Sequence, residues 1–147
     1  MPRKYVAVCG ASEATAAQLV AAREVGRLLA ESGAVVINGG MGGVSGAASE
    51  GAALAGGTVV GILPDTDRNG ANANLTISLP TGMGQARNVL IVTAAESVIA
   101  IGEGWGTLSE IAVARRLGRP VVALDSWSVK GLETVSTPSA AVRRALG

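Results

Sequence analysis

Six short runs of β-branched and other apolar residues recur along the chain, separated for the most part by longer segments with helical periodicity. The runs are Tyr5–Val8, Ala34–Ile37, Thr58–Leu63, Leu75–Leu79, Ser97–Ile101 and Pro120–Leu124. Most are continuous rather than alternating, the pattern of parallel strands buried on both faces. Between the first two lies a helix for which Ser12 is the expected cap. Its Ala17, Ala21, Val25 and Leu28 form one apolar stripe, and Gly33 stands where a C′ glycine ends a helix. Further helices are predicted over Val44–Ala55, Met83–Ala95 and Leu108–Leu117, and a last one begins at Thr137-Pro138, an N-cap followed by Pro at the first helical position. Strand and helix in alternation predict a single α/β domain over 1–147, a Rossmann-like, doubly wound and mostly parallel sheet. In such sheets ligands bind beyond the carboxyl ends of the strands, so the loops there carry the functional argument.

Four of those loops are unusual. The stretch "CGASEAT" leaves its strand through Gly10 into a small-residue turn holding Ser12 and Thr15. In "NGGMGGVSGAA", Gly39, Gly40, Gly42, Gly43 and Gly46 put five glycines into eight residues at a helix start. Backbone can approach a phosphate closely there, and unpaired helix N–H groups can receive it; tight turns and close packing account for some of the same glycines. The usual nucleotide fingerprints are absent: G-x-G-x-x-G fails at Ser45, no G-K-[ST] occurs, and the second strand ends in Asn38 rather than in an acid that would hold a ribose. The third loop, "TGMGQARN", brings Met83, Arg87 and Asn88 to a helix start, where a cation opposes the dipole unless an anion sits beside it. The fourth, "IGEGWGTLSEIA", carries Glu103, Gly104 and Gly106, followed by Thr107 and Glu110 at the spacing of a capping box.

Composition narrows the function classes. A net charge of +1 with 2% aromatics and no Phe supplies neither a basic groove nor a stacking surface for nucleic acid. No His and a single cysteine, Cys9, exclude an intrachain disulfide, the common zinc sites and Ser-His-Asp chemistry, so no metal site is expected. The longest apolar stretch, Val89–Ile101, is interrupted by Thr93 and Glu96, and no signal-peptide region precedes the first strand, so a cytoplasmic protein without a membrane span is expected. The hydrophobic fraction of 48% and mean hydropathy of +0.42 are high for so short a chain and call for a second copy, as a homodimer or homotetramer.

Three motifs, in order, give the chain a family likeness. Gly39-Gly40-x-x-Gly43-Val44-Ser45-Gly46 resembles the GG-x-x-G-L-M-G loop of the Lonely Guy (LOG) phosphoribohydrolases, and Gly104-x-Gly106-Thr107-x-x-Glu110 resembles their PGG-x-G-T-x-x-E motif. Arg87 stands where that family's Arg precedes the second motif. In detail "GGVSGAASEGAALAGGTVVGILP", "TGMGQARN" and "GTLSEIAVA" are more similar to the neighbouring molybdenum cofactor carrier-like branch. The likeness spans roughly Val6 to Leu124. It implies a pocket that holds a small phosphorylated ligand, either molybdenum cofactor carried without turnover or a nucleoside 5′-monophosphate whose N-glycosidic bond is hydrolysed. No cofactor is required for that hydrolysis. For the hydrolase it implies that Arg87 orients the substrate and Glu110 stabilises the sugar cation or activates water, with the Gly-rich loops on the phosphate. A regulatory or scaffold module without turnover is the third expectation. One position departs from both branches: Glu103 replaces a motif glycine. A carboxylate ~5 Å from a phosphate costs roughly 3 kcal/mol at an effective dielectric near 20, so Glu103 is expected to face a ligand's sugar or base, or to point outward.

Overall fold

The computed structural model describes residues 2–147. Seven strands form one sheet in the order β4-β3-β2-β1-β5-β6-β7, with every neighbouring pair parallel. They are β1 (Tyr5–Gly10), β2 (Val35–Asn38), β3 (Thr58–Leu63), β4 (Ile77–Pro80), β5 (Ser97–Gly102), β6 (Val121–Ser126) and β7 (Glu133–Val135). The helices are α1 (Ala16–Glu31), α2 (Gly43–Leu54), α3 (Asn88–Ala94), α4 (Trp105–Leu117) and α5 (Pro138–Leu146). Alternate strand residues point to opposite faces. Val6, Val8, Val36, Ile99 and Ile101 bury against α1, α2 and α5, while Ala7, Cys9, Ile37, Val98 and Ala100 bury against α3 and α4. The expected doubly wound α/β architecture is therefore the observed one, and among the described residues no helix is long and apolar enough to cross a membrane.

Several sequence expectations need correction. Thr15, not Ser12, caps α1: its hydroxyl accepts from Gln18 N, and the Gln18 side chain accepts from Thr15 N in return. The segment predicted as one helix from Met83 is a 3-10 turn, Gly84–Arg87, followed by α3; Gly84 at φ 56 keeps the start of the segment out of the α-helix. The capping box at Thr107 does not form. Helix α4 starts three residues earlier, with Gly104 as N-cap and no side-chain cap at all, which leaves Thr107 and Glu110 buried inside the helix instead. The fourth strand covers Ile77–Pro80 rather than Leu75–Leu79, and β7 was not anticipated.

Two local devices position the site. Helices α1 and α2 touch backbone to backbone: a methyl on Gly26 would come within 2.0 Å of Ala48 O, and one on Gly51 within 1.9 Å of Arg23 O. At the other end of the sheet, Ile101 pairs with Leu124 but Gly102 with Ser126, so Asp125 is an extra residue, held at φ 51. This bulge bends the chain over the β5–α4 loop. Gln18 Nε2 donates to Asp125 Oδ2 at 3.1 Å, and Ser126 Oγ donates to Gly102 O at 2.6 Å.

Candidate ligand cleft at the strand ends

The chain runs outward from β1 in both directions across the sheet, so the switch point lies between β1 and β5. A cleft of about 690 Å³ opens at their carboxyl ends. That is the place and the size class of a small-molecule site in this kind of sheet. Of the residues singled out from sequence, Gly10, Ser12, Gly39, Gly42, Arg87, Asn88, Gly104, Gly106, Thr107 and Glu110 line it together.

The remaining ones do not. Gly40 (φ 76) is packed under Leu63 and Leu75, and its N–H already donates to Asn38 Oδ1 at 2.8 Å. Asn38, fully buried and also bonded to Ser49 Oγ, thus shapes the loop instead of touching a ribose. Gly43 adopts φ 63, and any side chain there would strike Ala11 O and Ser12; its neighbour Val44 donates its N–H to Ala11 O at 3.1 Å, which ties the two loops together. Gly46 faces a smaller neighbouring cleft beside Arg23 and Glu50. Met83 is exposed on the 3-10 turn, and Glu103 is exposed on the loop, outside the cleft lining. These glycines serve packing, which a glycine count cannot separate from ligand approach.

Two helix N-termini point into the cleft. Helix α2 is capped by Gly42 and α4 by Gly104, neither with a side-chain cap and neither with an acidic residue in its first turn. No side chain of the protein therefore neutralises either dipole end, although in α2 the Val44 N–H is already taken by Ala11 O. Thr107, in the first turn of α4, is 2% exposed, and its Oγ1 has no hydrogen-bond partner. A buried hydroxyl left unpaired costs about 1–3 kcal/mol, and this one lies in the helical turn that lines the cleft.

Opposite stands Arg87. Its Nε donates to Ile62 O at 2.7 Å, its Nη1 to Asn88 Oδ1 at 3.1 Å and its Nη2 to Gly39 O at 3.3 Å. Among the described residues no carboxylate forms an ion pair with it, although Glu110 and Asp65 lend longer-range support against the burial that pulls its pKa down. The guanidinium is thus oriented by neutral acceptors and keeps its charge for an anion. Glu110 lies 7% exposed in the cleft floor, where burial raises its pKa to about 7 despite the Cys9 thiol and the Arg87 charge, both of which favour the ionised form. Burial, with Glu110 beside it, in turn holds the Cys9 thiol well above its ordinary range. The cleft therefore combines two helix N-termini and a guanidinium with a buried carboxyl whose pKa is raised to about 7.

Trp105 was missed from sequence. It lines the cleft, is 79% exposed, and stands against Trp127 with ring centroids 5.3 Å apart. Met41, Gln85 and Ser109 also line the cleft; each lies within one of the loops marked by sequence but was not singled out there.

A model of the SLOG cluster4 family matches residues 3–145. An uncharacterized protein of Archaeoglobus fulgidus is 43% identical over 143 residues, covering 97% of this chain and 94% of the relative. Among solved structures, the molybdenum cofactor binding protein of the phototrophic bacterium Rippkaea orientalis is 33% identical with a TM-score of 0.92, over 97% of this chain and 95% of that one. The molybdenum cofactor carrier protein of Chlamydomonas reinhardtii is 27% identical with a TM-score of 0.85, over 99% of both chains.

Proposed function

The chain belongs to the SLOG cluster4 family, and from that premise we propose that it carries a small phosphorylated ligand of the molybdopterin or nucleotide class in the β1–β5 cleft, without turning it over. The observation that carries this reading is that one cleft is lined by the unpaired Thr107, by two helix N-termini without side-chain caps and by an arginine that forms no direct ion pair among the described residues. All of them ask for an anion in one place. The arrangement also suits molybdenum cofactor as cargo. Among the described residues no three of His, Cys, Asp and Glu cluster, so the protein would grip the cargo through its phosphate and organic part rather than through the metal. Thr107, Arg87 and the Gly42 and Gly104 loop ends would hold the phosphate, and the metal would keep its own ligands.

Glu110 favours a second reading. A carboxyl with a pKa of about 7 next to an arginine is equipped for proton transfer, as hydrolysis of a nucleoside 5′-monophosphate requires. The two readings separate in one experiment. The freshly purified protein is examined by native mass spectrometry for retained ligand, then incubated with adenosine monophosphate while free adenine is measured. Retained or titratable phosphorylated ligand without adenine release supports the carrier, and sustained release abolished in Glu110→Gln supports the hydrolase. The absence of binding to any phosphorylated compound, including inorganic phosphate, refutes both. The same spectra read the oligomer: Val89, Leu90, Met83 and Leu117 leave apolar surface on α3, α4 and the turn before them, which a second copy in a homodimer or homotetramer would cover. A cytoplasmic location belongs to the same proposal.

A further inference from the structure

Resting on the phosphate reading of the cleft, we infer that Trp105 is the platform on which the planar heteroaromatic ring of the ligand stacks, making the site selective for phosphate esters that carry a purine- or pterin-like ring. The chain has only three aromatic side chains, Tyr5, Trp105 and Trp127. Two of them meet, tilted by 40° with centroids 5.3 Å apart, and one of the two, Trp105, lines this cleft. Trp105 is the first residue of α4 and leaves 79% of its surface in water, an unfavourable exposure for so large an apolar ring in a chain that spends aromatics so sparingly.

The ring is braced, not loose. Trp127 packs against it and donates its indole N–H to Gly104 O at 3.0 Å, the carbonyl of the α4 N-cap. The segment bearing Trp127 follows the Asp125 bulge, which Gln18 and the Ser126–Gly102 bond fix in place. The bulge therefore props one indole behind another, and the second indole stands on the cleft rim. Thr107 and Trp105 are two residues apart in the first turn of α4 and leave the helix on different sides, Thr107 buried and Trp105 exposed, yet both line the same cleft. A phosphate held at Thr107 leaves the attached ring within reach of the Trp105 face, with the Gln85 amide on the wall to meet a ring edge. Base–aromatic stacking tolerates different bases because every one has a π-face.

Guanosine 5′-monophosphate is the suitable probe, since guanine and pterin share a 2-amino-4-oxopyrimidine edge. The full chain and its Trp105→Ala, Trp105→Phe and Trp127→Phe variants are titrated calorimetrically with inorganic phosphate, ribose 5-phosphate and guanosine 5′-monophosphate, while tryptophan fluorescence is followed. Wild type is expected to bind the nucleotide more tightly than ribose 5-phosphate by about 5- to 150-fold, the range of one stacked base, with quenching of fluorescence. Trp105→Ala should remove that advantage while ribose 5-phosphate and phosphate bind as before, and Trp105→Phe should keep most of it. Equal binding of ribose 5-phosphate and nucleotide by wild type overturns the platform and leaves the phosphate cradle standing; failure of all three probes to bind overturns both. An equal loss for all probes in Trp105→Ala, or dissociation of an oligomer in that variant with nucleotide affinity intact, also overturns the platform, because Trp105 then acts through folding or as a contact between copies.

Discussion

Replacing Glu110 by Gln should stabilise the folded protein in alkaline solution, and the size of the effect follows from burial. The folded carboxyl has its pKa raised from 4.5 to about 7, with desolvation the largest cause. At about 1.4 kcal/mol per pKa unit, the ionised folded form carries a penalty of about 3 kcal/mol. Below pH 4.5 the group is protonated whether the chain is folded or not, and it contributes nothing to the balance. Between 4.5 and about 7 the unfolded chain has released the proton while the folded one retains it, so the folded state binds more protons and stability falls as pH rises. Above that window the full penalty is present. Gln cannot ionise, so Glu110→Gln should unfold at higher urea concentration than wild type at about pH 8.5, by about 2–3 kcal/mol, and near or slightly below wild type at about pH 5, where only the hydrogen bond with Cys9 is altered. The carboxylates held low by exposed partners, Glu24 beside Arg27 and Glu133 beside Arg144, impose an opposite trend, but it is common to both proteins and cancels in the difference. The assay is urea unfolding in phosphate-free buffer at the two pH values. If the two proteins show the same pH dependence, or if Gln is weaker by a constant amount at both, the buried-carboxyl argument is wrong.

Two further outcomes are expected. Thr107→Val removes a buried hydroxyl that has no partner, so ligand-free stability should stay level or rise by up to about 1 kcal/mol while phosphate affinity falls roughly tenfold in a calorimetric titration; a loss of stability with unchanged affinity would contradict the assignment. Gly26→Ala and Gly51→Ala each drive a methyl into a carbonyl oxygen of the facing helix, at 2.0 and 1.9 Å, and each should cost about 3 kcal/mol or more in denaturant unfolding, whereas helix propensity alone predicts a gain.

The sheet was legible because its strands are buried on both faces: runs such as Val6–Val8 and Val98–Ile101 have no polar residue to disguise them. Strand β7 escaped because Glu133-Thr134-Val135 is three residues long, at an edge and mostly exposed, so burial imposes no pattern on it. The start of α4 was misread for a different reason. Threonine and glutamate three residues apart make a capping box when they begin a helix, but one turn further in they face the core, and Thr107 and Glu110 do the latter. Spacing alone does not distinguish the two uses. Arg87, Asn88 and the glycines lining the cleft could be found because their residue types carry an anion chemistry at a helix start. Trp105 could not, since nothing in sequence says whether a lone aromatic at a loop–helix junction points into the core or into water, and its neighbour Trp127 is 22 residues away in the chain.

The pairing of β1 with β5 also bears on how the molecule is made. The cleft opens along the seam where these two strands meet, and one rim, Gly10 to Ser45, is translated well before the other, Gly104 to Glu110. A nascent chain paused before Trp105 has Arg87 and the Gly42 loop but lacks the α4 wall of the cleft. Closing the seam requires the longest chain loop between neighbouring strands of the sheet, the slow kind of contact in folding. A ligand held from both rims binds only the closed seam, and so acts as a stitch between the early and the late half of the polypeptide, adding its binding free energy to the joint that unites the two halves of the sheet.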